Sequence, residues 1–406
     1  MKACILTAGR GEGLRPLTDT RPTAMIEVLG KPVLQYAIES LRDNGIRDIC
    51  IVTGSKGEQI ERYFGIGRSL GVTLEYVRQE EPKGVEDAII KAYDCLRGED
   101  EIILVYGDIL VEPGHVSRLL NTHENTVADA TIMVTLSGEI RELGLTVLDS
   151  SGRVVKIREK PAVEEEMGNY VIAGLYILNS SVISGLKEGL TLEECLNKAT
   201  RELHVQAAIW EKEWVHLDKP WSILKANRLL LSKIKEKIIS VDAVIEENTR
   251  IEGPVKIAAG VHIRSGSVIK GPCFIDSGAY IGNSTLIRDY TYIGKNTIVG
   301  FGVEVKNSVV YSHVKIGRLS YIGDTVIGES ADIGPGTMTI NRNMDGSTVK
   351  MRVKGRMVDS GLTKLGAFIG DKALITGNVA IYPGVRISAG STIPPGSIVS
   401  EDLLNG

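Results

Sequence analysis

The sequence predicts a two-domain protein, in which an α/β domain with a mostly parallel sheet precedes a coil of stacked short strands. Apolar strand-like runs alternate with helical patterns before residue 240, and a branched aliphatic residue then returns at every sixth position. The chain of 406 residues contains 45 glycines but only 5% aromatic residues, which suits many tight turns. At roughly 100–200 residues per domain, this length accommodates two or three domains.

The first 240 residues contain alternating strand and helix patterns. Lys2–Thr7, Asp48–Val52 and Glu101–Tyr106 are apolar runs of strand length, and Val33–Asn44 has helical spacing that stops at Gly45. This alternation is typical of an α/β domain built on a mostly parallel sheet.

A six-residue period dominates the C-terminal part. It fits neither a helix nor a two-sided strand, but it fits a coil whose flat sides are each about six residues long. Every sixth side chain then points into an axial core, and Gly, Asn and Asp occupy the corners. The pattern resembles the left-handed parallel β-helix of hexapeptide acyltransferases, a fold that also serves as a plain trimerisation rod. The longest uninterrupted series is Ile245, Ile251, Ile257, Ile263, Ile269, Ile275, Ile281, Ile287, Ile293, Val299 and Val305.

Domain boundaries follow from these patterns. Residues 1–220 form the predicted α/β domain, and residues 239–406 form the predicted β-helix. Between them, residues 221–238 carry apolar residues at helical spacing and are predicted to be a linker helix.

Composition excludes several classes of function. The net charge is -4 and no block of like charge occurs, so we expect no nucleic-acid partner. No run approaches the ~20 apolar residues of a membrane span, so we expect no membrane partner. The N-terminus continues into a Gly-rich loop without a cleavage site, which favours a strand over a signal peptide. The five scattered cysteines fit free thiols in the cytoplasm.

A Gly-rich loop follows the first predicted strand. Gly9, Gly11 and Gly13 allow main-chain N–H groups to approach phosphates closely. A dinucleotide-binding loop is one alternative, although the third glycine comes one residue early and Pro16 follows. An unrelated tight turn is the other.

The wider string LTAGRGEGLRPLT…RPTAMIEVLGKPVLQY resembles the signature of sugar-1-phosphate nucleotidylyltransferases. Later family landmarks follow in order: Gln79 before Gly84, Tyr106-Gly107-Asp108, Glu159-Lys160-Pro161, and the stretch from Leu217-Asp218 to Asn227. Together with the β-helix, the resemblance covers nearly the whole chain. It is greatest to the archaeal bifunctional type, which joins the nucleotidylyltransferase to an amino-sugar-1-phosphate acetyltransferase and makes UDP-N-acetylglucosamine or a relative.

The resemblance implies a set of site residues and ligands. The ligands are an NTP or nucleotide-sugar, a sugar-1-phosphate, Mg²⁺ and, less directly, acetyl-CoA. The assembly is a homotrimer or larger. The implied residues are Ala8, Gly9, Gly11, Gln79 and Gly84 for the nucleotide; Gly144, Glu159 and Lys160 for the sugar phosphate; Asp108 and Asp218 for Mg²⁺; and Arg15, Tyr321 and Asn341 as catalytic groups.

Three positions depart from the family pattern. Gly13 and Thr23 stand where the family has the Arg and Lys that stabilise charge in phosphoryl transfer. Arg318 stands where the acetyltransferase motif has its His general base, and Arg cannot take up a proton. Arg318 could instead hold an anion, or pair with a carboxylate of a neighbouring subunit. Restoring Gly13→Arg together with Thr23→Lys is expected to raise turnover.

Two hypotheses remain at this point. In the first, the chain is a weakly active or non-catalytic paralogue that binds sugar phosphate or nucleotide-sugar, alone or in a hetero-oligomer with an active paralogue. In the second, it is an active nucleotidylyltransferase with displaced cations such as Arg15.

Overall fold

The computed structural model describes residues 1–136, 143–159 and 170–404. The chain forms two compact units. The first comprises Met1–Arg10, Pro22–Met25 and Pro32–His216, and the second comprises Gly11–Arg21, Ile26–Lys31 and the chain from Leu217 onward. No helix in the described parts of the chain is long and apolar enough to cross a membrane.

The first unit is built on a nine-stranded sheet. The strands in chain order, β1 to β9, are Lys2–Thr7, Asp48–Thr53, Thr73–Arg78, Glu101–Tyr106, Ala130–Leu136, Gly144–Leu148, Val154–Glu159, Tyr170–Asn179 and Val205–Trp210. Strand β1 lies near the centre of the sheet, parallel to β2 and β4, and the full order is β9-β5-β8-β4-β1-β2-β3, with β6 paired to β8 and β7 to β6. Strand β8 runs antiparallel to its neighbours, so the sheet is mixed.

Helices cover this sheet, which explains why its central strands are apolar throughout. Helix α1, Val33–Asp43, ends as predicted, because Gly45 adopts a left-handed conformation with φ of 85° and its N–H donates to the Arg42 carbonyl. Helices α1 to α7 are Val33–Asp43, Gly57–Phe64, Val85–Lys91, Tyr93–Leu96, Pro113–Thr126, Ser180–Lys187 and Leu192–Glu202. Short 3₁₀ turns are Thr23–Met25 and Arg68–Leu70 in the first unit, and Glu12–Leu14 and Leu17–Asp19 in the second. Glu27–Val28 and Lys31–Pro32 are two-residue strands.

The second unit contains the predicted left-handed parallel β-helix. Three parallel sheets of eight strands form its sides, and residues one coil apart pair in register, as Ile257, Ile275 and Ile293 do. The aliphatic residues of the six-residue series form one continuous buried core from Val255 to Val399. Corner residues adopt left-handed conformations, for example Asn296 at φ of 53°, which explains the abundance of Gly and Asn.

The strands of the three sides are as follows. The first side is Lys237–Ile239, Val255–Ile257, Cys273–Ile275, Thr291–Ile293, Val309–Val310, Val326–Ile327, Phe368–Ile369 and Arg386–Ile387. The second side is Val244–Ile245, His262–Ile263, Tyr280–Ile281, Ile298–Val299, Lys315–Ile316, Asp332–Ile333, Leu374–Ile375 and Thr392–Ile393. The third side is Arg250–Glu252, Val268–Lys270, Leu286–Ile287, Glu304–Lys306, Tyr321–Gly323, Met338–Thr339, Ala380–Ile381 and Ile398–Val399.

Two segments interrupt or precede the coil. The interruption of the six-residue period contains a hairpin of Lys350–Val353 and Arg356–Asp359. The linker helix, α8, occupies Ser222–Leu231, which is shorter than the predicted 221–238. Lys237–Ile239 pairs instead with Val255–Ile257, so sheet pairing overrides the helical periodicity there.

Candidate functional site

The first unit contains a cavity of about 440 Å³ at the carboxyl ends of β1 and β4. This is the edge at which open α/β sheets usually bind ligands. Its walls are mainly apolar and aromatic. The lining residues are Leu6, Ala8, Gly9, Gln79, Pro82, Gly84, Val85, Ala88, Tyr106, Asp108, Ile109, Leu143, Gly144, Ile172, Gly174, Tyr176, Trp214 and His216.

Four of the five predicted nucleotide-binding residues line this cavity: Ala8, Gly9, Gln79 and Gly84. Gln79 is buried, and its amide nitrogen donates to the Gly84 carbonyl at 3.1 Å and to Asp87 Oδ2 at 2.8 Å. These bonds orient the Gln79 amide at the cavity wall. The fifth residue, Gly11, belongs to the second unit, where its carbonyl accepts a hydrogen bond from Thr18 Oγ1.

Of the predicted sugar-phosphate residues, Gly144 lines the cavity. A Cβ atom at Gly144 would lie 3.1 Å from Ile172 Cδ1, so an apolar side chain packs against this glycine. Glu159 ends strand β7, and nothing is described of its side chain. Lys160 lies outside the described residues.

The carboxylate of Asp108 faces an imidazole. His216 Nε2 lies 3.2 Å from Asp108 Oδ2. The backbone fixes this neighbour, because His216 forms an antiparallel bridge with Ile109 and the Leu110 N–H donates to the Val215 carbonyl at 3.0 Å. Trp214 stacks on the His216 ring at a centroid distance of 5.9 Å.

Asp218, the other predicted Mg²⁺ ligand, belongs to the second unit, where its carboxylate lies 3.7 Å from Lys219 Nζ. The histidines form no ligand spacing in the sequence, so the sequence does not point to His216. The bridge to Ile109 places residue 216 beside Asp108 in the structure.

The charge of the cavity is unusual for a phosphate site. Among the described residues that line it, Asp108 is the one carboxylate, and none is Lys or Arg. Glu86 is directed elsewhere, since its carboxylate accepts a hydrogen bond from the Leu192 N–H at 3.0 Å. The described walls of the cavity therefore offer shape and apolar contact, and they contribute no Lys or Arg side chain.

A second cluster of polar groups lies on the β-helix around the predicted residues Tyr321 and Asn341. The Asn341 side-chain amide donates to the Tyr321 hydroxyl at 3.2 Å and also to Asp324. Asp324 is buried and in addition accepts from Lys306 Nζ at 3.2 Å and Asn307 Nδ2 at 2.7 Å. Burial, followed by the Asp324 charge, raises the pKa of Tyr321. The structure thus brings Tyr321 and Asn341 into one hydrogen-bonded group.

Comparison with known proteins identifies the family. A model described as nucleotidyl transferase matches residues 2–233. A bifunctional sugar-1-phosphate nucleotidylyltransferase/acetyltransferase of Sulfurisphaera tokodaii is 36% identical, over 99% of this chain and 98% of its own. The chain belongs to the sugar-1-phosphate nucleotidylyltransferase/acetyltransferase family.

Further matches agree with this assignment. The bifunctional protein GlmU of Methanococcus maripaludis is 34% identical over 99% of this chain and 95% of its own. The low-salt glycan biosynthesis nucleotidyltransferase Agl11 of Haloferax volcanii is 30% identical over 82% of this chain and 94% of its own. A model described as the GMPPB C-terminal domain matches residues 269–361, within the β-helix of this family member.

The backbone around Gly13 leaves no room for the side chain expected at this position of the family signature. A Cβ atom on Gly13 would overlap the main-chain oxygen of Asp218. The same atom would lie 3.3 Å from Lys354 Cε, at the tip of the β-helix hairpin. Restoring an Arg at position 13 therefore requires the Asp218 main chain to move, a requirement that the sequence does not reveal.

The nearby arginines of the signature segment have other partners. Arg15 is 48% exposed and lies 3.6 Å from Asp19. Arg21 is buried, and its guanidinium contacts Asp371 at 2.7 Å and Glu329 at 3.0 Å. Burial lowers the pKa of Arg21, but Asp371, Tyr311 and Glu27 together outweigh burial, so the pKa rises above its usual value. Arg21 is thus a fixed structural cation of the second unit.

We expect Gly13→Ala to destabilise the protein by about 1–3 kcal/mol, because the new methyl group overlaps main-chain atoms that cannot rotate away. Gly9→Ala is the matched control. A Cβ atom on Gly9 meets no atom within 4 Å, so the free energy of unfolding of this variant should lie within about 0.5 kcal/mol of the native value. Denaturant unfolding of both variants measures the difference. Equal stability of the two variants would show that the loop relaxes freely.

Arg318 is exposed, and its guanidinium makes no hydrogen bond or ion pair with any residue in the described parts of the chain. His313, the nearest histidine in sequence, is an exposed corner residue with φ of 62°. No ionic contact within the described chain therefore explains the Arg at the position where the family resemblance implies a general base.

Proposed function

We propose that this chain binds a nucleotide-sugar, or an NTP and a sugar-1-phosphate, in the first-unit cavity and catalyses nucleotidyl transfer weakly or not at all. It would then act as a ligand-binding or regulatory paralogue in nucleotide-sugar metabolism of the UDP-N-acetylglucosamine type. The observation that carries the proposal is the absence of Lys and Arg among the described residues that line the cavity.

The transfer reaction requires positively charged groups from the protein. Negative charge develops on phosphate oxygens in the transition state, and fixed cations supply much of the rate enhancement. Thr23 lies in a 3₁₀ turn and carries no charge, and the backbone at Gly13 excludes a side chain. Ligand binding depends less on these cations, because apolar and aromatic walls such as Trp214 and Tyr106 contribute affinity for a base and a sugar ring.

Ligand binding tests the proposal directly. We expect a panel of nucleoside diphosphate sugars, beginning with UDP-N-acetylglucosamine, to include a ligand with a Kd below about 100 μM by calorimetry. Gly9→Leu should raise the Kd of this ligand by about tenfold or more, because Gly9 lines the cavity and a Leu side chain at this position would fill it.

Gly9→Ala is the control, since a single methyl group fills little of the cavity, and it should bind within about threefold of the native protein. Trp214 provides a second readout, because it lines the cavity and its fluorescence should change on binding. Failure of every nucleotide-sugar, NTP and sugar phosphate to bind would contradict the proposal.

One observation favours the second candidate function, which is catalysis with displaced cations. Lys354 places a cationic side chain beside Gly13, and Arg15 carries a half-exposed guanidinium on the same segment. Under this alternative, Lys354→Gln or Arg15→Gln would abolish pyrophosphate release. Under the proposed function, neither variant has appreciable release to lose.

The family resemblance also leads to two proposals about the oligomeric state of the chain. A homotrimer or larger assembly would follow if three β-helices pack side by side. A hetero-oligomer with an active paralogue would give a non-catalytic chain a regulatory role.

A further inference from the structure

Three thiols meet where helix α4 packs on the sheet of the first unit. Cys4 and Cys50 are register partners on the parallel strands β1 and β2, so their side chains lie on the same face of the sheet. Cys95, on α4, packs against the core on this face. The Cys50 thiol is hydrogen-bonded to the thiols of both Cys4 and Cys95. Cys50 is therefore the middle member of the cluster.

One end of this cluster reaches the protein surface. Cys4 is 0% exposed and Cys50 is 1% exposed, whereas Cys95 is half-buried. Beside Cys95 lies the exposed Glu75, the register partner of Cys50 on strand β3, and the Cys95 thiol donates to Glu75 Oε2 at 3.4 Å. A small solute that arrives at Glu75 therefore meets Cys95 first, and Cys50 lies directly behind it.

The surroundings hold Cys95 beside Cys50. Lys2 Nζ donates to the Cys95 carbonyl at 3.1 Å, which fastens α4 to β1. Leu96, the next residue of α4, is buried in the same core as Cys50. The described residues include no group of three or more His, Cys, Asp or Glu side chains arranged to hold a metal ion, and the three thiols are no exception. What the geometry does provide is a pair of adjacent sulfur atoms, one of them accessible.

We propose that Cys95 and Cys50 are a redox modification site, at which hydrogen peroxide converts the two thiols to a reversible disulfide. The Cys95 sulfur attacks one peroxide oxygen, the O–O bond breaks, and the leaving hydroxide takes the thiol proton to give water. The Cys50 sulfur then attacks the sulfur of the Cys95 sulfenic acid, the S–O bond breaks, and the second hydroxide takes the Cys50 proton. Two thiols lose two electrons, and one peroxide becomes two waters.

The same surroundings make the reaction slow at neutral pH. The hydrogen bond with Cys50, followed by burial, raises the pKa of Cys95 above its usual value. The thiolate is the reactive form of cysteine, so only a small reactive fraction is present near neutrality. We therefore expect the disulfide to form over hours at neutral pH, and the test is run at about pH 9 to increase the thiolate fraction.

The experiment treats the reduced full-length protein with hydrogen peroxide, alkylates the remaining thiols and maps the tryptic peptides by mass spectrometry. Cys4, Cys50 and Cys95 fall in separate tryptic peptides, which are residues 3–10, 48–56 and 92–97. We expect a cross-link between peptides 48–56 and 92–97 in at least about half of the molecules, and dithiothreitol should remove it.

Two variants assign the roles of the thiols. Cys4→Ala should form the cross-link to within about twofold of the native yield, because Cys4 is not part of the pair. Cys95→Ala removes the accessible thiol, so Cys4 and Cys50 should both stay available for alkylation after unfolding. Thermal unfolding of each variant confirms that it is folded, and Cys95→Ala should fold because its side chain is only half-buried.

The melting temperature tests whether the disulfide forms in the folded protein. A cross-link between positions about 45 residues apart restricts the unfolded chain, so the oxidised protein should have a Tm at least about 5 °C above that of the reduced protein. A Tm that falls on oxidation would overturn the proposal, because the disulfide would then form only in distorted or unfolded chains. So would a cross-link between peptides 3–10 and 48–56, or oxidation of Cys95 to sulfinic acid without a cross-link.

Discussion

Arg318→His is expected to give the protein acetyl transfer from acetyl-CoA to glucosamine-1-phosphate, an activity that we expect the native chain to lack. A guanidinium stays protonated at any physiological pH and cannot act as a general base, whereas a neutral imidazole can. Introducing a positioned base raises rates by about 10²–10⁴-fold. Tyr321, Asn341 and Asp324 already form a hydrogen-bonded group on the β-helix.

Arg318→His should change the chemistry at this position without disturbing the fold. Arg318 is exposed and has no ionic partner in the described chain, so replacing it should cost little stability. Mass spectrometry of the N-acetylated product measures the gain, and Arg318→Gln is the control that removes the cation without supplying a base. Acetyl transfer by the native protein at the rate of Arg318→His would mean that the base is another residue. No transfer by a folded Arg318→His would mean that the β-helix no longer holds the substrates.

The second large effect concerns nucleotidyl transfer by the native chain. An arginine that stabilises the transition state contributes about 10³–10⁵ in rate, and typical enzymes turn over at about 10 s⁻¹. Gly13 and Thr23 stand where two such cations are expected, so we predict turnover below about 0.01 s⁻¹. Arg21 does not compensate, because Asp371 and Glu329 hold it within the second unit.

The fold could be predicted from the sequence because the patterns that indicate it are local and repeated. The six-residue series predicts the β-helix, since each coil repeats the same side chains at the same corners. The strand at Lys2–Thr7 and the helix that stops before Gly45 follow from apolar patterning and one capping glycine. The end of helix α8 does not, because the strand that follows depends on a partner one coil later.

The site was accessible only in part. One cavity brings together six of the predicted residues, which are Ala8, Gly9, Gln79, Gly84, Asp108 and Gly144. His216 was missed because its position beside Asp108 depends on a bridge between segments far apart in the chain. The closed backbone at Gly13 depends in the same way on Asp218, some two hundred residues later. Residue types show what chemistry is present, and tertiary register decides which groups meet.

The most direct test of the account is pyrophosphate release by the native full-length chain. The assay should cover NTP and sugar-1-phosphate pairs with Mg²⁺ present, and the Sulfurisphaera tokodaii relative, whose name states this activity, serves as the positive control. We predict that every pair stays below about 0.01 s⁻¹ with the native chain, although a nucleotide-sugar binds. Release at about 1 s⁻¹ or faster with any pair would contradict the account.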